Sequence, residues 1–103
     1  MSEWFRLCSV ADLPAEGEVM ELSLANRQFC AAMVEGRLRV LDNTCPHRGG
    51  PLGQGIVEQG RVLCPWHAWA FDLGTGCALH NPRQCVRVYQ TRIEGDQVLI
   101  ALP

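Results

Sequence analysis

Two short segments rich in metal ligands place the strongest constraint on this chain. Cys45-Pro46-His47 and Cys64-Pro65-Trp66-His67 each supply one thiol and one imidazole, and sixteen residues lie between them. A structural zinc finger commonly takes paired cysteines from one segment and paired histidines from the other. The mixed segments instead indicate a binuclear site, in which one metal ion binds both sulfurs and the other binds both ring nitrogens.

The residues around these segments resemble the Rieske [2Fe-2S] family. Residues 45–52, Cys-Pro-His-Arg-Gly-Gly-Pro-Leu, are similar to the family's first cluster loop. Residues 64–67, followed by Phe71-Asp72 and Thr75-Gly76, are similar to its second loop. The resemblance covers roughly residues 43–80.

The resemblance implies both a cofactor and its ligands. One Rieske-type [2Fe-2S] cluster would be held by Cys45 and Cys64 on the inner iron and by His47 and His67 on the outer iron. No catalytic residue is implied. Because neutral imidazoles replace two thiolates, such centres have reduction potentials of about -150 to +300 mV.

The chain departs from the high-potential members of the family in two respects. Those proteins place hydroxyl side chains two and four residues after the second histidine, where this chain has Trp69 and Phe71. They also carry an extra cysteine in each loop, and the two form a disulfide. The matching positions here are Gly50 and Trp66. Both departures predict a low reduction potential within the family's range.

Short apolar segments separated by glycine turns predict an all-β fold. The resemblance implies an antiparallel β base domain with an inserted cluster-binding lobe. We predict one Rieske domain over residues 1–103, with the lobe at about 43–82 and the base from 1–42 and 83–103. A helical turn is predicted at Val10–Leu13. The predicted strands are Trp4–Cys8, Val19–Leu24, Gln28–Met33, Arg37–Asp42, Val62–Cys64, Ala70–Leu73, Cys77–His80, Val86–Glu94 and Gln97–Leu102.

Four cysteines remain once the ligands are assigned: Cys8, Cys30, Cys77 and Cys85. Since the chain begins without a basic segment followed by an apolar one, no export signal is visible, and we expect these cysteines to stay thiols. A Cys77–Cys85 pair is the alternative, because the two lie close in sequence.

Composition limits the classes of partner. No window approaches the ~20 apolar residues that cross a bilayer, so a soluble, cytoplasmic protein without a membrane partner is expected. The net charge is -2 and the basic residues are scattered arginines, which gives no nucleic-acid patch. We expect a monomer.

These observations favour a soluble one-electron carrier over an enzyme. The resemblance implies transfer from a flavoprotein reductase to a terminal oxygenase, and the alternative is the small subunit of an NAD(P)H-dependent nitrite reductase. A mononuclear zinc binding module that uses the same four ligands is the alternative from another class. With His80 as the one histidine left over, the chain cannot build the two-histidine iron site of an oxygenase.

Overall fold

Antiparallel β-strands make up most of the chain in the computed structural model, which describes residues 2–46, 49–66 and 69–103. This confirms the predicted all-β fold. Short 3₁₀ turns lie at Val10–Asp12, where a helical turn was predicted, and at Leu52–Gln54. No helix in the described ranges is long and apolar enough to span a membrane. The strands are β1 (Glu3–Ser9), β2 (Val19–Leu24), β3 (Arg27–Val34), β4 (Arg37–Asp42), β5 (Ile56–Glu58), β6 (Arg61–Leu63), β7 (Ala70–Asp72), β8 (Val88–Tyr89), β9 (Thr91–Glu94) and β10 (Gln97–Leu102).

Within the described residues these strands form three sheets. The outer sheet has the strand order β1-β10-β9, the middle sheet β2-β3-β4-β8, and the lobe sheet β5-β6-β7. Glu3 pairs with Leu102, so both ends of the chain meet in the outer sheet. Because β4 pairs directly with β8, the chain between them leaves the middle sheet, builds the lobe sheet and returns to the neighbouring strand.

The central part of the middle sheet, around β3, is buried on both faces. Phe29 and Ala31 of β3 face one side and Cys30 and Ala32 face the other, all fully buried, because successive strand residues point to opposite faces. This explains the unbroken apolar run along β3. The base core lies on the side of the outer sheet and comprises Leu7, Cys8, Phe29, Ala31, Val40, Tyr89, Val98, Ile100 and Leu102. The lobe core lies on the other side and comprises Cys30, Ala32, Leu41, Cys45, Leu52, Val62, Cys64, Phe71, Leu73, Ala78 and Val86.

Three strand predictions need correction. The predicted strand Cys77–His80 is wrong, because that segment makes only isolated bridges to Phe71 and Cys85. The predicted strand Val86–Glu94 is two strands, since the chain pairs with β4 up to Tyr89 and then crosses to β10. The strand β5 was missed; none of its three residues is buried, whereas β6 and β7 each carry a buried central residue.

The expectation that all four remaining cysteines are thiols is wrong for one pair. Cys77 and Cys85 form a disulfide. Their segments run antiparallel, with the Ala78 N–H donating to the Gln84 carbonyl at 2.9 Å, so the two Cα atoms lie 4.0 Å apart. This local bridge, which depends on the turn between the two cysteines, brings the side chains together.

The other two cysteines are buried thiols, as expected. Burial raises the pKa of the Cys30 thiol to about 12, and the nearby Glu21 carboxylate adds to the shift. Burial also raises the pKa of the Cys8 thiol, with a further contribution from Asp12. Because burial favours the neutral thiol over the charged thiolate, both residues stay protonated at neutral pH.

Candidate metal centre

The first ligand loop stands on a short antiparallel stem that continues β4. The Leu52 N–H donates to the Asn43 carbonyl at 2.7 Å, Thr44 and Pro51 form a bridge, and the Cys45 N–H donates to the Gly50 carbonyl at 2.8 Å. Cys45 therefore sits at the end of the stem, where the chain turns.

The same stem ends in a tight turn. The Gly49 N–H donates to the Cys45 carbonyl at 2.7 Å, and Gly49 has a φ of 78°. Glycine adopts this left-handed conformation without steric cost. Pro46 also lies in the turn, as its fixed φ allows.

The second ligand loop connects β6 to β7. These strands pair from Arg61 opposite Asp72 to Leu63 opposite Ala70. The next hydrogen bond runs from the Cys64 N–H to the Trp69 carbonyl at 2.8 Å, so Cys64 occupies the same kind of position as Cys45 in the first loop.

The two loops meet at Gly50. A Cβ atom on Gly50 would lie 2.7 Å from the Cys64 Sγ, which is closer than a side chain can approach, and 3.1 Å from the Trp66 ring. Since Gly50 also accepts the hydrogen bond of Cys45, the two cysteines converge on one place. Both are buried, at 2 % and 3 % exposure.

The predicted histidine ligands, His47 and His67, lie outside the described residues. Among the residues described, no group of three or more His, Cys, Asp or Glu side chains is close enough to hold a metal ion. The described part of the site is therefore the cysteine pair.

The surroundings of the cysteine pair suit the inner iron of an asymmetric cluster. Cys45 and Cys64 belong to the lobe core with Leu52, Val62 and Phe71, and Trp69 packs against this core. Two buried cysteines that both contact Gly50, in an apolar setting, match the sulfur half of the predicted ligand set, so the described residues fit such a cluster.

The aromatic residues behind the second loop supply no hydroxyl group. The rings of Trp69 and Phe71 have centroids 6.4 Å apart and an interplanar angle of 34°. Phe71 is fully buried in the lobe core. These two positions therefore contribute apolar packing behind the loop.

A polar network lies below the stem of the first loop. The Tyr89 hydroxyl donates to Asp42 Oδ1 at 2.6 Å, and Arg27 Nη2 donates to the Tyr89 hydroxyl at 2.6 Å. The Arg87 N–H donates to Asp42 Oδ2 at 3.1 Å. Burial, and then the hydrogen bond to Asp42, raise the pKa of Tyr89. The network fixes Asp42 where the chain leaves the middle sheet.

Sequence reasoning missed a second group at the stem, formed by Glu21, Asn43 and Gln54. Asn43 is 5 % exposed and is the one buried polar side chain among the described residues. It hydrogen-bonds the Glu21 carboxylate, which comes from β2 and also accepts from Gln54. No local motif links these positions, because Glu21 is 22 residues from Asn43.

Comparison with known proteins agrees with this geometry. The family model described as Rieske [2Fe-2S] domain matches residues 3–90. The ferredoxin component of the naphthalene 1,2-dioxygenase system of Pseudomonas aeruginosa is 32 % identical over 101 residues, which cover 97 % of this chain and 96 % of that protein.

Two solved structures superpose over almost the whole chain. A ferredoxin of Sphingomonas yanoikuyae B1 has a TM-score of 0.85 and 31 % identity, covering 98 % of this chain and 100 % of its own. A chain assigned as the NADH-dependent nitrite reductase small subunit of Mycobacterium tuberculosis has a TM-score of 0.85 and 24 % identity, covering 100 % and 97 %. At that identity the second likeness supports the fold alone.

Proposed function

The chain belongs to the Rieske [2Fe-2S] family, and we propose that it is the ferredoxin component of an oxygenase system, which passes single electrons from a flavoprotein reductase to a terminal oxygenase. It is an electron carrier, like the ferredoxin components that it resembles. The observation that supports the oxygenase assignment is the end-to-end match to such a component, 97 % of one chain against 96 % of the other.

The proposed ligands are Cys45 and Cys64 for the inner iron and His47 and His67 for the outer iron. When bound, the [2Fe-2S] cluster supplies one-electron redox chemistry at the loop tips. The chain itself supplies two buried thiolates, an apolar lobe core that keeps water from them, and two hydrogen-bonded stems that fix their positions. The convergence of Cys45 and Cys64 at Gly50 supports the sulfur half of this assignment.

We expect a reduction potential near the negative end of the family's range. Hydrogen bonds from hydroxyl groups to the cluster region would stabilise the reduced, more negative cluster and raise its potential, and Trp69 and Phe71 cannot supply them. Redox titration followed by EPR should give a midpoint close to about -150 mV. A midpoint well above zero would contradict this expectation.

Reconstitution tests the proposed partners. With a flavoprotein reductase and NADH, the purified protein should be reduced within seconds, and it should then support turnover by a terminal oxygenase of the same system. A protein that carries the cluster but is reduced by none of the candidate reductases would contradict the proposal.

The nitrite reductase small subunit is the second candidate, because the first ligand loop, residues 45–52, fits that group as well as it fits the oxygenase ferredoxins. Co-purification distinguishes the two candidates. A stable complex with a sirohaem enzyme would favour the nitrite reductase, whereas dependence of an oxygenase on the protein would favour the ferredoxin component.

We also expect the protein to be a monomer, which sedimentation equilibrium would test.

A further inference from the structure

The base of the first ligand loop is closed by a side chain from another strand. Glu21 of β2 reaches the two arms of the stem at once: Oε2 accepts from Asn43 Nδ2 at 2.6 Å, and Oε1 accepts from Gln54 Nε2 at 3.1 Å. Asn43 lies on the arm that enters the loop and Gln54 on the arm that leaves it. The carboxylate therefore bridges the entry and the exit of the segment that presents Cys45.

Asn43 adds a further link within the same group. Its Oδ1 accepts from the Gly53 N–H at 2.7 Å, while its carbonyl accepts from the Leu52 N–H at 2.7 Å. Both polar atoms of the Asn43 side chain are thus hydrogen-bonded: Nδ2 to Glu21, and Oδ1 to the arm that leaves the loop. The Asn43 side chain is buried, so water cannot replace a lost partner. Loss of its hydrogen bond to Glu21 or to Gly53 would therefore leave a buried polar atom unsatisfied.

The sequence leaves room for the carboxylate by placing glycine opposite it. A Cβ atom on Gly53 would clash with Glu21 Cγ and would lie 2.8 Å from Asn43 Oδ1. Any side chain at position 53 would push the two groups apart. The close packing of the Glu21 side chain against Asn43 and Gly53 therefore requires glycine at position 53.

Hydrogen bonds that involve a carboxylate are shorter and stronger than those between neutral groups. Partners that orient the ligands of a metal centre, without touching the metal, affect metal affinity strongly. Asn43 lies two residues before Cys45. If the hydrogen bonds at Asn43 were lost, the stem would open and Cys45 would no longer be held in one orientation.

We propose that Glu21 is a positioning residue for the first ligand loop: by holding Asn43 and Gln54, it fixes the direction from which the Cys45 thiolate meets the inner iron. This inference rests on the proposed function, because it assumes that Cys45 is a cluster ligand.

The test compares cluster retention in matched variants. Glu21→Gln keeps an oxygen acceptor for Asn43, Glu21→Ala removes it, and Glu18→Ala is the control, since Glu18 is an exposed carboxylate just before the same strand. Visible absorbance followed in the presence of an iron chelator gives the rate of cluster loss. Glu21→Ala should lose its cluster about tenfold faster than the parent protein, Glu21→Gln should lie between the two, and Glu18→Ala should match the parent.

Exchanging the carboxylate at position 21 with the amide at position 54 tests the proposal even if Glu21→Ala fails to fold. Gln54→Glu alters an exposed side chain and places a second carboxylate against Glu21, so it should also speed cluster loss. The double variant Glu21→Gln with Gln54→Glu restores one carboxylate and one amide with their roles reversed, and it should return the rate to near that of the parent.

EPR of the reduced protein supplies a second measurement. The g values should change in Glu21→Ala and Gln54→Glu and return in the exchanged double variant. Unchanged cluster loss and unchanged g values in both single variants would overturn the proposal, as would a double variant no better than Gln54→Glu. If instead the parent protein binds no Rieske cluster, the proposed function itself fails.

Discussion

At the scale of single residues, Gly50 decides how closely the two ligand loops can approach. Its φ is not in the left-handed region, so the clash with Cys64 Sγ and Trp66 is what excludes a side chain. We expect Gly50→Ala to cost about 1–3 kcal/mol of overpacking in the loops and to lower the iron and sulfide content per chain. Elemental analysis and visible absorbance of the purified variant measure this.

Gly74→Ala is the matched control for Gly50. The added carbon would lie 3.1 Å from the exposed Asp72 carboxylate, which is away from the ligand cysteines. This variant should keep the cluster content of the parent. Equal iron content in Gly50→Ala and the parent would contradict the close contact between the loops.

Tyr89 gives a prediction about pH, and it is the single tyrosine of the chain. Burial, and then Asp42, raise its pKa above the ordinary value. Because the raised pKa belongs to the folded state, the neutral hydroxyl contributes stability that is fully present below the ordinary tyrosine pKa. That contribution is lost as the pH rises through the folded value.

The absorbance of tyrosinate as a function of pH measures the Tyr89 titration directly. Tyr89→Phe supplies the baseline for changes in cluster absorbance, and Asp42→Asn should lower the midpoint toward the ordinary value. A midpoint in the parent protein at or below the ordinary pKa near ~10 would contradict the prediction.

Residue patterns could supply the candidate ligands of the site, but they missed the group that supports the first loop. Cys45 and Cys64 could be found because each shares a short motif with a histidine, and the structure brings them together at Gly50. The assignment of all four residues as cluster ligands remains a prediction. Glu21 could not be found in this way, because its link to Asn43 spans 22 residues and exists only once β2 lies beside the stem.

At the scale of elements, the disulfide joins the segment after β7 to the segment before β8. Cys77 and Cys85 are separated by 8 residues, and closing so short a loop in the unfolded chain contributes about 2.5 kcal/mol in the chain-entropy account. We expect a dithiol reductant, or the double variant Cys77→Ser with Cys85→Ser, to lower the free energy of unfolding by about this amount.

Denaturant unfolding with and without reductant measures the contribution of the disulfide. The double variant is the control, because its stability should not respond to the reductant. Intact mass under non-reducing conditions should show the parent protein lighter by two hydrogens than its reduced form. Thiol titration that finds both cysteines reactive in the native protein would contradict the pairing.

Strands could be predicted from the sequence where a whole apolar segment pairs within a single sheet. β2, β3 and β4 form consecutive hairpins, so local pattern and turn signals suffice for them. The segment Val86–Glu94 could not be divided from its sequence, because its first part pairs with β4 and its second with β10. A change of sheet is a tertiary event that leaves no local signal.

At the scale of the whole molecule, the middle sheet separates two cores that differ in their dependence on iron. Among the residues that the structure describes, the base core contains members of the outer and middle sheets and none from the ligand loops. The lobe core contains Cys45 and Cys64 as buried members. The lobe sheet has strands of only three residues, so its stability depends on this core more than on its own hydrogen bonds.

Removal of the cluster should therefore loosen the lobe and leave the base intact. In the iron-free protein, amide hydrogens of β5, β6 and β7 should exchange about tenfold faster or more, a loss of about 1.4 kcal/mol in local opening free energy. Amides of β1 and β10 should keep their protection, because the described members of their core include no proposed ligand. Hydrogen exchange followed by NMR, on holoprotein and iron-free protein side by side, measures this. Equal loss of protection in the outer sheet and the lobe sheet would contradict the separation of the two cores, since it would mean that the cluster stabilises the fold as one unit.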